Sequence, residues 1–175
     1  MLAIVTAFES IRDFMESGGD VLYAILLVTL VMWILIVERY WYIFSAHPRR
    51  VKAVVAQWET RQDHKSWYAH RIREAMISEV SIDLRQSVMT IKTLVAICPL
   101  LGLLGTVTGM VEVFDVMAIT GTGNARAMAA GVSKATIPTM AGMVAALSGV
   151  MLSVRIERFV DSETHRVADK LTAER

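Results

Sequence analysis

The sequence predicts an all-α integral membrane protein with three transmembrane helices, two of which extend into the cytoplasm. Of its 175 residues, 54% are hydrophobic, and the mean hydropathy is +0.47. The charged residues, 20% of the chain, are concentrated between apolar runs. Three runs are long enough to cross a hydrocarbon core about 30 Å thick. The helix is the expected conformation there, because the backbone finds no water partners in lipid.

The apolar runs give the elements in order. The first is Val21–Val37, followed by the aromatic cluster "ERYWYIF", where Arg39 and its neighbours suit the headgroup level. The second is Leu94–Val111 and the third is Ala127–Val154, interrupted only by Lys134. The predicted division is an N-terminal segment (1–20), a first transmembrane helix (21–44), a helical segment (45–93), a second transmembrane helix (94–118), a loop (119–126), a third transmembrane helix (127–154) and a helical tail (155–175).

The basic residues predict the orientation. Nine lysines and arginines lie between residues 45 and 93 and five lie in the tail, whereas Arg12 is alone before the first run and Arg126 is alone between the second and third. The positive-inside rule then places the N-terminus and the 119–126 loop in the periplasm and the two basic segments in the cytoplasm. Both basic segments have helical composition. We expect the stretch from Trp67 to continue into the second span and the tail to prolong the third.

Small residues form a seam on each of the last two spans. The second span carries Gly102, Gly105 and Gly109 at steps of three and four, with Glu112 next. The seam of the third span comprises Ala135, Thr139, Gly142, Ala146, Gly149 and Ser153. Such residues allow helices to approach closely in lipid. Because these seams have no evident use in an isolated bundle of three spans, they predict a homo-oligomeric ring.

Threonine and proline add polarity to these faces. Thr106 and Thr108 lie in the second run, and Thr136 and Thr139 flank Pro138 in the third. A threonine in a span often returns its hydroxyl to a carbonyl one turn back. Proline frees the carbonyl four residues earlier, which is Lys134 for Pro138 and Val95 for Pro99. Together these groups predict either local backbone bonding or a hydratable groove that conducts protons and binds a partner's carboxylate.

Several classes of function are excluded. Cys98 is the only cysteine, so no internal disulfide forms, and it is interpreted as a small buried hydrophobe. The four histidines show no metal-ligand spacing, and no phosphate-binding loop, nucleophile elbow or pair of catalytic carboxylates occurs. The formal net charge of +1 gives no indication of nucleic-acid binding. We therefore expect no cofactor, no metal and no enzymatic activity.

The stretches "CPLLGLLGTVTGMVEVF" and "GTGNARAMAAGVSKATIPTMAGMVAALSGV" resemble the MotA/TolQ/ExbB proton-channel family, most closely short ExbB proteins of TonB-type systems. The resemblance implies a stator in the bacterial inner membrane, a ring that is typically a pentamer. It also implies an ExbD-like single-span partner with an essential intramembrane aspartate, and a TonB-like protein that energises outer-membrane import. Thr106 and Thr139 match the pore-lining threonines that face this aspartate.

One position departs from the family. Many members carry a glutamate where this chain has Lys134. If Thr106 and Thr139 lie at one depth, as the resemblance implies, Glu112 and Lys134 lie about 9 Å and about 7.5 Å outward at 1.5 Å per residue. The similar depth predicts an ion pair, within or between subunits, with Asp115 as the competing acid. The alternative is that Lys134 snorkels to the outer surface while Glu112 faces water.

The sequence leaves three other functions open. One is a TolQ-like motor for envelope integrity, which uses the same machinery with different partners. Another is a scaffold that assembles partners without conducting protons, in which Thr106 and Thr139 only pack. The third, an enzyme acting within the membrane, lacks an acid–base or metal constellation.

Overall fold

The computed structural model describes residues 2–61, 63, 66–121 and 125–171. Within these residues five helices follow one another: α1 (Leu2–Ser45), α2 (His47–Glu59), α3 (Trp67–Arg85), α4 (Val88–Thr120) and α5 (Ala125–Lys170). In the described part of the chain, three stretches are long and apolar enough to cross a membrane, namely Gly18–Ser45, Trp67–Ile119 and Met128–Lys170. The predicted all-helical class with three long apolar helices is therefore confirmed.

The chain divides into two compact units. The first contains Met1–Trp33 and Thr93–Val150, and the second contains Ile34–Lys92 and Met151–Arg175. The candidate membrane-spanning residues of α4 and the first half of α5 thus belong to the first unit. Helices α2 and α3 belong wholly to the second.

In the first unit, α1 is interrupted near the start of its apolar run. Gly19 has φ 68° and ψ −167°, which is not helical backbone. Glycine adopts positive φ without the Cβ penalty that other residues have. The chain can therefore redirect between the N-terminal part of α1 and the part that begins the apolar run.

Helices α4 and α5 are in direct backbone contact in the first unit. A Cβ atom at Gly142 would lie 2.5 Å from the carbonyl oxygen of Cys98, and a Cβ atom at Gly109 would lie 2.6 Å from Cα of Ala135. Cys98 itself is buried and unpaired with another cysteine, as its apolar surroundings predicted. The two small-residue seams therefore pack against each other within one chain. The expectation that they have no use in a single bundle is wrong.

The second unit buries apolar residues from each of its helices. Val51, Val54 and Trp58 of α2 are buried, as are Val80 and Leu84 of α3. From the tail, which is continuous with the third span in α5, Ile156, Val160, Val167 and Leu171 are buried, and Phe159 is 39% exposed. The tail therefore prolongs the third span, as predicted, and contributes to this core, apart from Phe159.

The predicted continuation of the second span is divided in two. Helix α3 ends at Arg85 and α4 begins at Val88, and between them Ser87 has φ 65°. A non-glycine residue in this left-handed region is uncommon, and no glycine or proline signals the break in the sequence. Two exposed ion pairs connect this region to α5, Arg85 to Asp161 at 2.7 Å and Lys92 to Glu157 at 2.6 Å.

Candidate functional site

The polar residues of α4 and α5 in the first unit form the candidate site. Thr106, Thr108 and Glu112 come from α4, whereas Lys134, Thr136 and Thr139 come from α5. The two helices approach closely because the glycines at their contact have no side chains. Hydroxyl groups and charges are thereby held beside a surface that is otherwise apolar.

Thr139 bonds across the contact between the two helices. Its Oγ1 donates to the carbonyl oxygen of Gly102 at 2.9 Å. This is possible because Gly102 has no side chain, and a Cβ atom there would lie 2.9 Å from Cα of Thr139. Thr139 is partly buried.

The other three threonines bond within their own helices. Thr106 donates to the carbonyl of Leu103 at 2.7 Å, and Thr136 donates to that of Ser133 at 3.0 Å. Thr108 shares its hydroxyl between the carbonyls of residues 104 and 105, each at 3.1 Å. Local backbone bonding, one of the two alternatives that the sequence left open, therefore describes these three threonines and not Thr139. None of the four hydroxyls bonds to the carbonyls that Pro99 and Pro138 free.

The contacts between α4 and α5 define their register. Gly102 lies against Thr139, Gly105 against Pro138 and Gly109 against Ala135. Thr106 is therefore level with about residue 137. Thr139 lies two residues away from this level, or about 3 Å along the helix axis. Of the remaining seam positions, Ala146 is buried, and a Cβ atom at Gly149 would lie 2.5 Å from the Val95 side chain.

Glu112 and Lys134 are in contact. Lys134 Nζ lies 2.6 Å from Glu112 Oε2, and the two side chains are 40% and 56% exposed, respectively. A Cβ atom at Gly19 would lie 3.5 Å from Cε of Lys134, so the lysine stem passes the interruption in α1. Asp115, the competing acid, is exposed and has no ion pair within the described ranges.

No group of three or more histidine, cysteine or acidic side chains in the described part of the chain could hold a metal ion. His70 and His165 are exposed, and His64 lies outside the described residues. His47 is buried beside Glu163 in the second unit. The site on α4 and α5 therefore offers hydroxyls, backbone carbonyls and one ion pair as its chemistry.

Two arginines of the second unit have structural roles that the sequence did not indicate. Arg39, expected at the headgroup level, is only 2% exposed, donates to the carbonyl of Asp83 and lies 4.8 Å from the ring centroid of Tyr42. Arg73 donates from Nε and from one terminal nitrogen to the carbonyls of Leu171 and Ala168, both at 2.8 Å. The positions of these two arginines in the sequence do not predict either role, since both roles depend on tertiary packing.

Comparison with known proteins agrees with this architecture. A sequence model of the MotA/TolQ/ExbB proton channel family matches residues 44–169, which is well over half of the chain. The chain belongs to this family. It is therefore a member of a family of non-enzymatic proton channels, as its lack of catalytic motifs predicted.

One relative of the chain is the biopolymer transport protein ExbB-like 1 of Synechocystis sp. (strain ATCC 27184 / PCC 6803 / Kazusa). It is 37% identical over 82 residues, which cover 45% of this chain and 32% of the relative. The chain thus matches about a third of the length of that protein. Within the MotA/TolQ/ExbB family, this similarity makes the chain ExbB-like.

Proposed function

We propose that the chain is a stator subunit of the bacterial inner membrane that uses the proton-motive force to energise TonB-dependent outer-membrane import. Its proposed partners are an ExbD-like single-span protein with an intramembrane aspartate and a TonB-like protein. Membership of the proton channel family supports this, as does the likeness to an ExbB-like protein. The proposed topology has the N-terminus in the periplasm and the C-terminus in the cytoplasm, following the distribution of basic residues.

The observation that carries the proposal is the state of the Thr106 hydroxyl. Its proton is donated to Leu103, but a hydroxyl oxygen keeps lone pairs that accept further hydrogen bonds. A water molecule or a protonated carboxyl group can donate to that oxygen. An ionised carboxylate cannot donate, and it would have to compete with Leu103 for the threonine proton. Thr106 would therefore favour the protonated form of a partner aspartate, as a proton-carrying site requires.

Thr139 has a second role in this proposal. Its hydrogen bond to the carbonyl of Gly102 connects α5 to α4, and this keeps Thr106 in a fixed position relative to the third span. Preorganised groups act at less cost than groups that must first be ordered. In this proposal Thr106 contacts the partner's aspartate, which carries the proton. Thr139 holds α5 against α4, and its oxygen also accepts a hydrogen bond.

The ring is proposed to form through surfaces that the glycine seams leave free. In one chain, Leu100, Leu103 and Val107 of α4 and Met140 and Leu147 of α5 are exposed. These side chains lie in candidate membrane spans and must contact either lipid or a neighbouring subunit. The family resemblance implies that this ring is a homopentamer. Native mass spectrometry in mild detergent tests it, and a monomer under all lipid conditions would contradict the ring.

Exchange of Thr106 tests the proposed function. The chain is expressed with its genomic ExbD-like partner in a strain that lacks its own ExbB, and growth on a receptor-dependent iron source is measured. Thr106→Val should abolish growth while co-purification with the partner persists, whereas Thr106→Ser, which restores the hydroxyl, should retain growth. Normal growth of the valine variant would favour a non-conducting scaffold. Growth defects confined to envelope integrity would favour a TolQ-like role.

A further inference from the structure

A cavity of about 310 Å³ lies within the second unit, between the end of α1, the start of α2 and the last turns of α5. Its polar lining consists of His47, Lys52, Glu163, Arg166 and Lys170. None of these residues belongs to the candidate site on α4 and α5. The cavity therefore needs an explanation of its own.

His47 is a buried polar group that faces this cavity without a hydrogen-bond partner. Only 3% of the residue is exposed. Its Nε2 lies 3.4 Å from Oε1 of Glu163 but makes no hydrogen bond within the described part of the chain. Buried polar groups are costly to leave unpaired, and the large majority have a partner. Nε2 of His47 therefore has a hydrogen-bonding position that no described residue fills, beside the carboxylate of Glu163.

The charges around the cavity favour an anion. Three cations line it and one carboxylate opposes them. The carboxylate of Glu163 is already shared with Arg166, whose Nη1 lies 3.5 Å from Oε2. The ammonium groups of Lys52 and Lys170 are exposed and form no ion pair with any residue that the structure describes. Two cations and one imidazole nitrogen therefore remain to bind a negatively charged group.

The remaining lining of the cavity is apolar. It includes Ile43 and Phe44, which directly precede Ser45, the last residue of the candidate membrane span. Phe44 is 72% exposed, and it is followed within three residues by the polar lining that begins at His47. The cavity thus combines an apolar side that continues a membrane span with a basic side just beyond it. A soluble anion would use only the basic side.

We propose that this cavity binds the phosphate group of an anionic phospholipid, with the acyl chains along Ile43 and Phe44. Lys52 and Lys170 bind the phosphate oxygens, and Nε2 of His47 donates a hydrogen bond to one of them. Basic pockets at the membrane end of helices are suited to such headgroups, and lysine binds phosphate as a point charge. This inference does not depend on proton conduction, so it can fail while the proposed function holds.

The test measures lipid binding to the full chain purified in mild detergent. Native mass spectrometry is used to titrate dioleoylphosphatidylglycerol, with dioleoylphosphatidylcholine, which is zwitterionic and has no net charge, as the comparison. The test variant is Lys52→Gln with Lys170→Gln; both side chains are exposed, so folding should be preserved. The matched control is Arg155→Gln with Arg158→Gln, which removes two exposed charges of α5 that do not line the cavity.

We expect one phosphatidylglycerol per chain to bind more tightly than phosphatidylcholine. At about 1 kcal/mol for each basic residue near a lipid surface, the double lysine variant should lose about thirtyfold in affinity. The double arginine variant should lose much less affinity for this one bound phosphatidylglycerol. Equal losses in the two variants, or no preference for phosphatidylglycerol, would overturn the proposal.

Inorganic phosphate distinguishes the lipid from a free anion. If the acyl chains contribute through the apolar side, phosphate at the concentration of the lipid should not displace it. Displacement at equal concentration would show that the phosphate group alone is bound, and it would overturn the assignment to a lipid.

Discussion

The hydrogen bond from Thr139 to Gly102 allows two roles of threonine to be separated. Thr139→Val keeps the shape of the side chain but removes the donor that reaches the Gly102 carbonyl at 2.9 Å. In an α-helix that carbonyl also accepts the backbone N–H four residues later, so it is not left unpaired. The loss is therefore that of a single hydrogen bond between helices, for which measured values in membrane proteins average about 0.6 kcal/mol and reach about 1.7 kcal/mol.

The matched change is Thr136→Val. Thr136 lies on the same helix, is exposed, and donates only to Ser133 of its own helix. Thermal unfolding of the purified protein should show a lower midpoint for Thr139→Val. The decrease should be about 2–4 °C for each kcal/mol lost in a chain of this size. Thr136→Val should differ from the wild type by less, because no contact between helices is removed.

A measurement of energy transduction by the same variants completes this experiment. Thr139→Val should reduce both the unfolding midpoint and energy transduction, whereas Thr106→Val should reduce transduction with little change in the midpoint. A Thr139→Val protein that melts like the wild type would refute the reasoning that its hydroxyl joins α4 to α5. A Thr106→Val protein that is destabilised as strongly as Thr139→Val would refute the division of roles.

Three further predictions concern the ion pair, Arg73 and Ser87. Glu112→Gln and Lys134→Gln should each impair assembly or activity more than the double variant does, with a coupling energy of about 0.5–3 kcal/mol, because a single change leaves one charge unpaired; strictly additive effects would oppose the pair. Arg73→Gln should lower the free energy of unfolding by about 1.5–3 kcal/mol and increase amide exchange at the end of α5. Arg71→Gln removes only exposed contacts, to Glu74 and to the Trp67 ring, and should be nearly neutral; equal effects of the two changes would contradict the role of Arg73 in binding the carbonyls at the end of α5. Ser87→Val should be about 1–2 kcal/mol less stable than Ser87→Gly by chemical denaturation, since Ser87 has φ 65°; equal stability would contradict the left-handed backbone.

The helices could be predicted from the sequence because lipid alone requires them. Runs such as Leu94–Val111 have one available conformation in a hydrocarbon core, whatever their neighbours are. The relation of Glu112 to Lys134 could also be anticipated, since helix rise converts residue offsets into depth. Their side chains are in contact in the structure at 2.6 Å.

The partner of each seam could not be predicted. A row of small residues shows that some helix approaches closely, but it does not say whether that helix belongs to the same chain or to another. The contact of Gly142 with the Cys98 backbone answers this for one chain. Likewise, the break at Ser87 has no glycine or proline to announce it, and the burial of Arg39 depends on a carbonyl 44 residues away.

The ion pair between Glu112 and Lys134 has a consequence for how the chain enters the bilayer. An isolated lysine or acidic side chain at the centre of a helix costs about 2.5–3.5 kcal/mol on insertion scales. The two charges lie on α4 and α5, which follow each other directly along the chain. If they neutralise each other during biogenesis, the two helices should leave the translocon together as a hairpin rather than one after the other. An insertion assay in which α4 and α5 are translated singly and as a pair would detect this, and equal efficiency in the two formats would exclude it.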